Sequence, residues 1–352
     1  VTELEPAAAP IVIRPDTTPP VAYTDLDYSI TAATAASLLE AQPANTRLAY
    51  DRAWGQFETW CSARGRVELP ATAQTLADYV NWLTGISLAP ATIDQAIGAI
   101  RSRHRQARYN DQPETQESLM LLRKYRREWA DAGNRTRKKT PVLLDALRRM
   151  TDTCDPATPA GARDRAVLLL GFNMMARRSE MAGLDLADLA DAGQEGLLVF
   201  IKRSKTDQAA QGVEVPVPFG QHTETCAVRA VRAWTQILAE HGITQGAVFR
   251  PVDRHGRIGD EPKAAAVARP RLTGKAVSDI VRRRALRGAL PDPAAYSCHS
   301  LRSGAATTAY AAGVPVSAIA AHGRWSERSP VVLGYIRAVD KWRNNPMKGI
   351  GL

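Results

Sequence analysis

The sequence predicts a mainly α-helical protein with one small β-sheet or hairpin, an α+β chain with two folded domains. Three observations lead to this. The chain has 352 residues, 45% of them hydrophobic, enough for two ordinary cores at about 150 residues per domain. Apolar residues recur at helical spacing through most of its length. Only two short runs, 197–202 and 213–217, read as strands, and a polar, basic stretch at 134–140 separates the two halves.

Residues 1–28 are rich in Pro, Ala and Thr and show no periodicity, so a disordered arm is expected. A helical domain is expected over 29–133. Its first helix, 29–42, is Ala- and Leu-rich. The second, 45–64, sets Leu48, Trp54, Phe57 and Trp60 on one stripe, with Asn45 as its N-cap. The third, 72–83, follows Pro70 and carries Leu76, Tyr79, Val80 and Leu83. The fourth, 91–108, turns Ile93, Ile97 and Ile100 to one face and most of its arginines elsewhere. The fifth, 114–132, carries Leu119, Leu122 and Tyr125 and stops at Gly133. A linker at 134–140 leads into a second domain over 141–343. Helices are expected there at 141–153, 160–175 and 178–183, then a turn at 185–189. The two strands follow, joined by the long hairpin loop SKTDQAAQG. Further helices are expected at 224–241, 273–286, 299–312, 316–322 and 329–343, with a loop-rich stretch at 248–270. Residues 344–352 form a tail.

Composition excludes several classes. No window approaches 18 apolar residues without charge, so no membrane-spanning segment is expected. The first 30 residues show no basic start followed by an apolar run, so no secretory signal is visible. Cys61, Cys154, Cys226 and Cys298 are scattered and form no CxxC pair. A reduced, cytoplasmic, nucleoid-associated protein without disulfides or structural zinc is expected. The net charge of +10 favours a polyanionic partner. The first 45 residues hold six acids and one arginine, whereas 46–139 hold 16 basic and 10 acidic residues and 140–352 hold 29 and 20. The charge therefore sits on both folded parts. Arg101, Arg103, Arg105 and Arg108 cluster near one helix end, and Arg135, Arg137, Lys138 and Lys139 crowd the linker. Arg282 and Arg283 lie in a third basic run. Groups of this kind neutralise phosphates.

Five features stand in a fixed order. The stretch ARRSEMAGLDLADL at 176–189 holds Arg177 with Glu180 three residues on, on one helical face. Arg178 is rotated by about 100° toward solvent or a DNA backbone. The hairpin sequence KRSKTDQ, 202–208, holds Lys205 and its rival Lys202. In HSLR, 299–302, His299 and Arg302 share a helical face, followed by the small-residue run GAATTAYAAGV. The stretch AHGRWSERSPVVLGYIR, 321–337, holds Trp325, its rival His322, and Tyr335. There is no phosphate-binding glycine loop and no acidic cluster of the kind that holds two magnesium ions; Asp185 and Asp188 read as a turn and a cap.

This ordered set resembles the tyrosine recombinase (phage integrase) family, nearest in pattern to its Cre-like members, over about 40–345 and most closely over 171–335. The resemblance implies a SAM-like helical core-binding domain followed by a catalytic domain of the DNA breaking–rejoining enzyme fold. It implies a site-specific DNA recombinase that cuts and rejoins DNA through a 3′-phosphotyrosine, with no metal, ATP or other cofactor. Tyr335 matches the nucleophile, Arg177 and Arg302 the phosphate clamp, and His299 the general base or a further phosphate donor. Lys205 matches the general acid. Trp325 matches a phosphate hydrogen-bond donor, although Tyr335 follows it by ten residues where nine are expected. Glu180 is a supporting residue. Double-stranded DNA with inverted-repeat sites, bound by four copies on two sites, is the implied partner, and both domains are expected to close around the duplex. The apolar tail residues Trp342, Met347, Ile350 and Leu352 are expected to dock on a neighbouring copy. A type IB-like topoisomerase, and a DNA-binding regulator without catalysis, are the alternatives.

Overall fold

A computed structural model describes residues 29–41, 43–109, 112–135, 139–202, 211–259, 270–326, 329–335 and 347. The chain divides into two compact units, one ending at Arg135 and the other beginning at Thr136.

The first unit is all helical: α1 (Ala32–Glu40), α2 (Ala44–Ser62), α3 (Ala73–Gly85), α4 (Pro90–Gln106) and α5 (Gln116–Asp131). Thr72 starts α3 by accepting from the Thr75 amide at 3.1 Å, and Pro90 opens α4 where a missing N–H costs nothing. The apolar stripes meet in one core of Trp54, Phe57, Trp60, Leu76, Tyr79, Leu83, Ile93, Ile100 and Leu122. Phe57 and Trp60 meet Tyr79 edge-on at centroid distances of 4.9 and 5.2 Å. His104 is fully buried. Its Nε2 accepts from the Ala71 amide at 2.8 Å, so Nδ1 carries the proton and donates to the Ile100 carbonyl.

Two expectations fail here. Leu48 is 62% exposed and lies off the core, whereas Trp54, Phe57 and Trp60 of the same helix are buried in it. Asn45 does not cap α2. The helix starts one residue earlier, with Pro43 at the N-cap and no side-chain cap.

The second unit opens with α6 (Leu144–Asp152), α7 (Pro159–Asn173) and α8 (Arg178–Gly183). Strands β1 (Leu189–Asp191), β2 (Gly196–Ile201) and β3 (Val213–Pro218) follow. The unit continues with α9 (Ala227–Glu240), α10 (Gly274–Arg287), α11 (Cys298–Ala311) and α12 (Val316–Gly323). The sheet is antiparallel in the order β1-β2-β3. Leu197 pairs with Val217 and Val199 with Val215, which turns these four side chains inward and leaves Phe200 and Glu214 outside. The sequence reading missed β1, which follows a 3-10 turn at Leu186–Asp188.

Helix α7 is buried nearly all round and is flanked by α9 and α11. Its Asp164 is buried and meets Arg163 at 2.6 Å, Arg284 at 2.8 Å and Arg283 at 3.0 Å, which ties α7 to α10. Helix α11 approaches the chain at Val142 so closely that a Cβ on Gly304 would lie 1.9 Å from the Val142 carbonyl oxygen. That contact sets the depth of α11, the helix that carries His299 and Arg302.

Candidate active site

The site forms where α7 ends. A helix C-terminus leaves several carbonyls without intrahelical partners, and cations are favoured there. Three side chains from distant positions meet these carbonyls. His322 Nε2 donates to the Asn173 carbonyl at 2.7 Å. Arg302 donates through Nη1 to the Met175 carbonyl. Arg324 donates to the Met174 carbonyl at 3.2 Å. Met175 itself has φ +46°, a left-handed turn that swings the chain out of α7 and into Arg177.

Arg177 stands just before α8, whose bounds are those expected, and so does not share a helical face with Glu180. It is the N-cap, with extended backbone (φ −80°, ψ 151°). Glu180 is the third helical residue and reaches back to it. One carboxylate oxygen accepts from the Arg177 amide at 2.8 Å and the other from its guanidinium at 2.6 Å. The second arm of Arg177 donates to the Arg324 carbonyl at 3.0 Å. Burial alone would raise the Glu180 carboxyl, but Arg324 and Arg177 outweigh it and hold it below the usual carboxylate range.

Arg302 is 2% exposed. Besides Met175, it donates to the Gly323 carbonyl at 2.6 Å. The Trp325 ring covers it, with the guanidinium carbon 3.7 Å from the ring centroid. Burial first, then Arg177, pull the Arg302 guanidinium down to about 9, still charged at neutral pH.

Tyr335 lies on a helix that enters at residue 330. Its hydroxyl is 2.9 Å from His299 Nε2, and its ring meets Trp325 edge-on at 5.9 Å. Burial, with Arg302 adding to it, keeps the His299 imidazole below its ordinary value and so neutral at pH 7. With its proton on Nδ1, His299 can accept the Tyr335 proton at Nε2. Burial raises the Tyr335 phenol, and Arg302 opposes that rise. Arg177, Glu180, His299, Arg302, Trp325 and Tyr335 are thus gathered in one place. His322 is turned onto the α7 terminus instead.

Lys205 lies outside the described residues, as do Arg137 and Lys138. Lys202, its rival, is held at the hairpin base by Asp185 at 3.0 Å and Asp188 at 2.9 Å. Those aspartates also close the turn, since Asp188 accepts from the Asp185 amide at 2.9 Å. Among the other basic residues singled out, Arg101, Arg103, Arg105, Arg135 and Arg178 are exposed. Arg103 also stacks on Trp54 at 5.6 Å. Lys139 is exposed and donates to the Ala294 carbonyl at 3.0 Å. Arg282 and Arg283 are already matched to Asp279 and Asp164.

Sequence reasoning missed Arg324. It lies between Gly323 and Trp325 in a stretch already singled out, but nothing local marks it, because its partners Met174 and Glu180 are about 145 to 150 residues away.

Comparison with known proteins bears on the same residues. Residues 142–341 match the phage integrase family. The chain is 31% identical over 265 residues to an integrase/recombinase XerD homolog of Selenomonas ruminantium, covering 75% of this chain and 73% of that protein. It is 26% identical over 298 residues to recombinase Cre of Escherichia phage P1, covering 82% of each. Two solved structures share the fold. XerH recombinase bound to a palindromic difH substrate has a TM-score of 0.56 at 15% identity, covering 91% of this chain and 84% of that one. Lambda integrase residues 75–356 bound to DNA has a TM-score of 0.52 at 13% identity, covering 87% and 94%.

Proposed function

The chain belongs to the phage integrase family and is a tyrosine-type site-specific DNA recombinase, and we propose that Tyr335 is the oxygen with which it cuts DNA. The observation that carries this assignment is the 2.9 Å contact between the Tyr335 hydroxyl and His299, beside the Arg302–Trp325 stack.

Tyr335 Oη attacks the scissile phosphorus while its proton passes to His299 Nε2. The bond from phosphorus to the 5′ oxygen breaks, leaving a 3′-phosphotyrosine. Lys205, on the hairpin, supplies the proton that the departing 5′ oxygen needs. Arg177 and Arg302 face the non-bridging oxygens. Each Nη used on a backbone or Glu180 partner carries a second N–H that can turn to phosphate. Charge on those oxygens grows in the transition state, so the two arginines act mainly on rate. The phosphotyrosine keeps the energy of the broken ester. A 5′ hydroxyl from a second duplex can therefore reverse the step and rejoin DNA without a nucleotide cofactor.

Exchange between two duplexes needs four strand cuts. Nucleophile, acceptor and clamp all come from one chain, so four cuts require four chains on two sites. Two copies on one duplex are related by a two-fold axis, which favours inverted repeats. Arg101, Arg103, Arg105, Arg135, Lys139 and Arg178 supply phosphate contacts in this reading. The protein acts where its DNA is, at the nucleoid.

The test is covalent capture. The protein is incubated with supercoiled plasmid carrying its own gene and flanks, quenched with SDS and digested. A nucleotide on Tyr335 from one place in the DNA is expected. Tyr335→Phe should lose the adduct and keep DNA binding within about twofold. Adducts at scattered places, with plasmid relaxation, would instead mark a topoisomerase.

A further inference from the structure

The structure assigns a part in the reaction to Arg324: we propose that it is a positioning residue that sets both phosphate-clamp arginines through Glu180 and the α7 terminus. The inference rests on the recombinase reading above and goes beyond it.

Arg324 is an unusual residue to find in this place. Its backbone is left-handed, with φ +58° and ψ +46°, a conformation uncommon outside glycine, asparagine and aspartate. Its side chain is nevertheless drawn inward and is only 6% exposed. The guanidinium donates to Glu180 Oε2 at 2.7 Å, to the Met174 carbonyl at 3.2 Å and to the His322 carbonyl at 2.9 Å. Only a planar fork with several donors satisfies partners in such different directions; an ammonium on a flexible stem does not.

These partners are the ones the clamp depends on. Glu180 holds Arg177. Met175, next to Met174, holds Arg302. The Arg324 carbonyl receives the second arm of Arg177, and the preceding carbonyl, of Gly323, receives an arm of Arg302. Arg324 therefore fixes the bond acceptors of both clamp residues from behind, without facing the phosphate. It also shares the charge of Glu180. Were Arg324 absent, Glu180 could close both its oxygens on the Arg177 guanidinium and draw that arm away from phosphate. Three guanidinium groups around one carboxylate leave two net positive charges, which suits the dianionic phosphorane that forms as Tyr335 attacks.

The test uses the full chain with Arg324→Met and Arg324→Lys. The probe is supercoiled plasmid carrying the gene and its flanks, and the readout is the rate of SDS-stable adduct formation. Misplacing a catalytic group by about an ångström costs on the order of 10²-fold, and a loss of that size is expected for Arg324→Met. DNA retention should stay within about threefold; the melting transition should fall, since buried Glu180 loses a partner, while the chain stays folded at the assay temperature. Arg324→Lys should recover part of the rate. Arg324→Met combined with Glu180→Gln should be no slower than the worse single variant, since both act on one path. An adduct rate for Arg324→Met within about threefold of wild type overturns the proposal. Multiplicative losses overturn it as well, as does a fall in DNA retention that parallels the rate. If the wild-type chain forms no adduct, the recombinase reading fails and the decision passes to a DNA-free measurement. Tyr335 titration, read as the ultraviolet difference from Tyr335→Phe, should move to higher pH in Arg324→Met as Arg302 drifts from the phenol; an unchanged midpoint overturns the proposal.

Discussion

Protonating one nitrogen, His299 Nε2, should switch off the first step. Burial and Arg302 keep this imidazole below its ordinary value of 6.5, so at pH 7 it is neutral and able to accept from Tyr335. The rate of adduct formation should be level near neutrality. It should fall, by up to about tenfold per pH unit, once the pH drops through the lowered His299 value. His299→Gln cannot titrate, so its acid limb should vanish; an acid limb that persists unchanged in that variant would assign the effect to another group. Six of the site residues were legible because each stands in a short stretch whose own residue order is informative. Arg324 was not, since its importance lies in a left-handed backbone and in carbonyls at the far end of another helix. The role of Arg177 as an N-cap was equally hidden. A helical period places Glu180 near it either way, and only the backbone angles separate the two geometries.

At the scale of elements, the tie between α7 and α10 is the most exposed to a single change. Burial would raise the Asp164 carboxyl, but Arg163 and Arg284 overcome that and hold it below its usual value of 3.8. A carboxyl lowered by folding stabilises the fold above its unfolded value, and that contribution is lost as pH falls toward the folded one. Glu180 behaves in the same way from 4.5 downward, so acid should loosen the second unit below about pH 4. Asp164→Asn leaves buried Arg284 and Arg163 without their counter-charge. The expected cost is about 3–5 kcal/mol, read as a lower denaturant midpoint; a change under about 1 kcal/mol would show that the arginines find other partners. The helices of the first unit were legible because their stripes keep a helical period, as Leu76, Tyr79, Val80 and Leu83 do. Strand β1 was not. Its three residues are half-buried, exposed and exposed, so no alternation marks it.

For the whole molecule, the +10 charge becomes a statement about salt. A surface that neutralises about six to ten phosphates loses roughly 10³–10⁵ in affinity between about 50 and 200 mM salt. Binding of this chain to duplex DNA, followed by anisotropy across that range, should fall by an amount in this window. A weak dependence would mean that the exposed arginines of α4 do not lie on the phosphates. The basic character of both halves was visible in the raw count, because charge needs no fold to be tallied.

The contact between Trp325, Arg302 and Tyr335 has an optical consequence. An indole lying flat on a guanidinium, with a phenol at its edge, emits light that depends on both neighbours. When a phosphate draws the guanidinium away, or the phenol becomes an ester, the emission of that one ring changes. The site thus contains its own fluorophore, and subtracting the signal of a Trp325→Phe chain from that of the native one isolates it. Cleavage and rejoining can then be followed in real time, on unlabelled protein and unlabelled DNA.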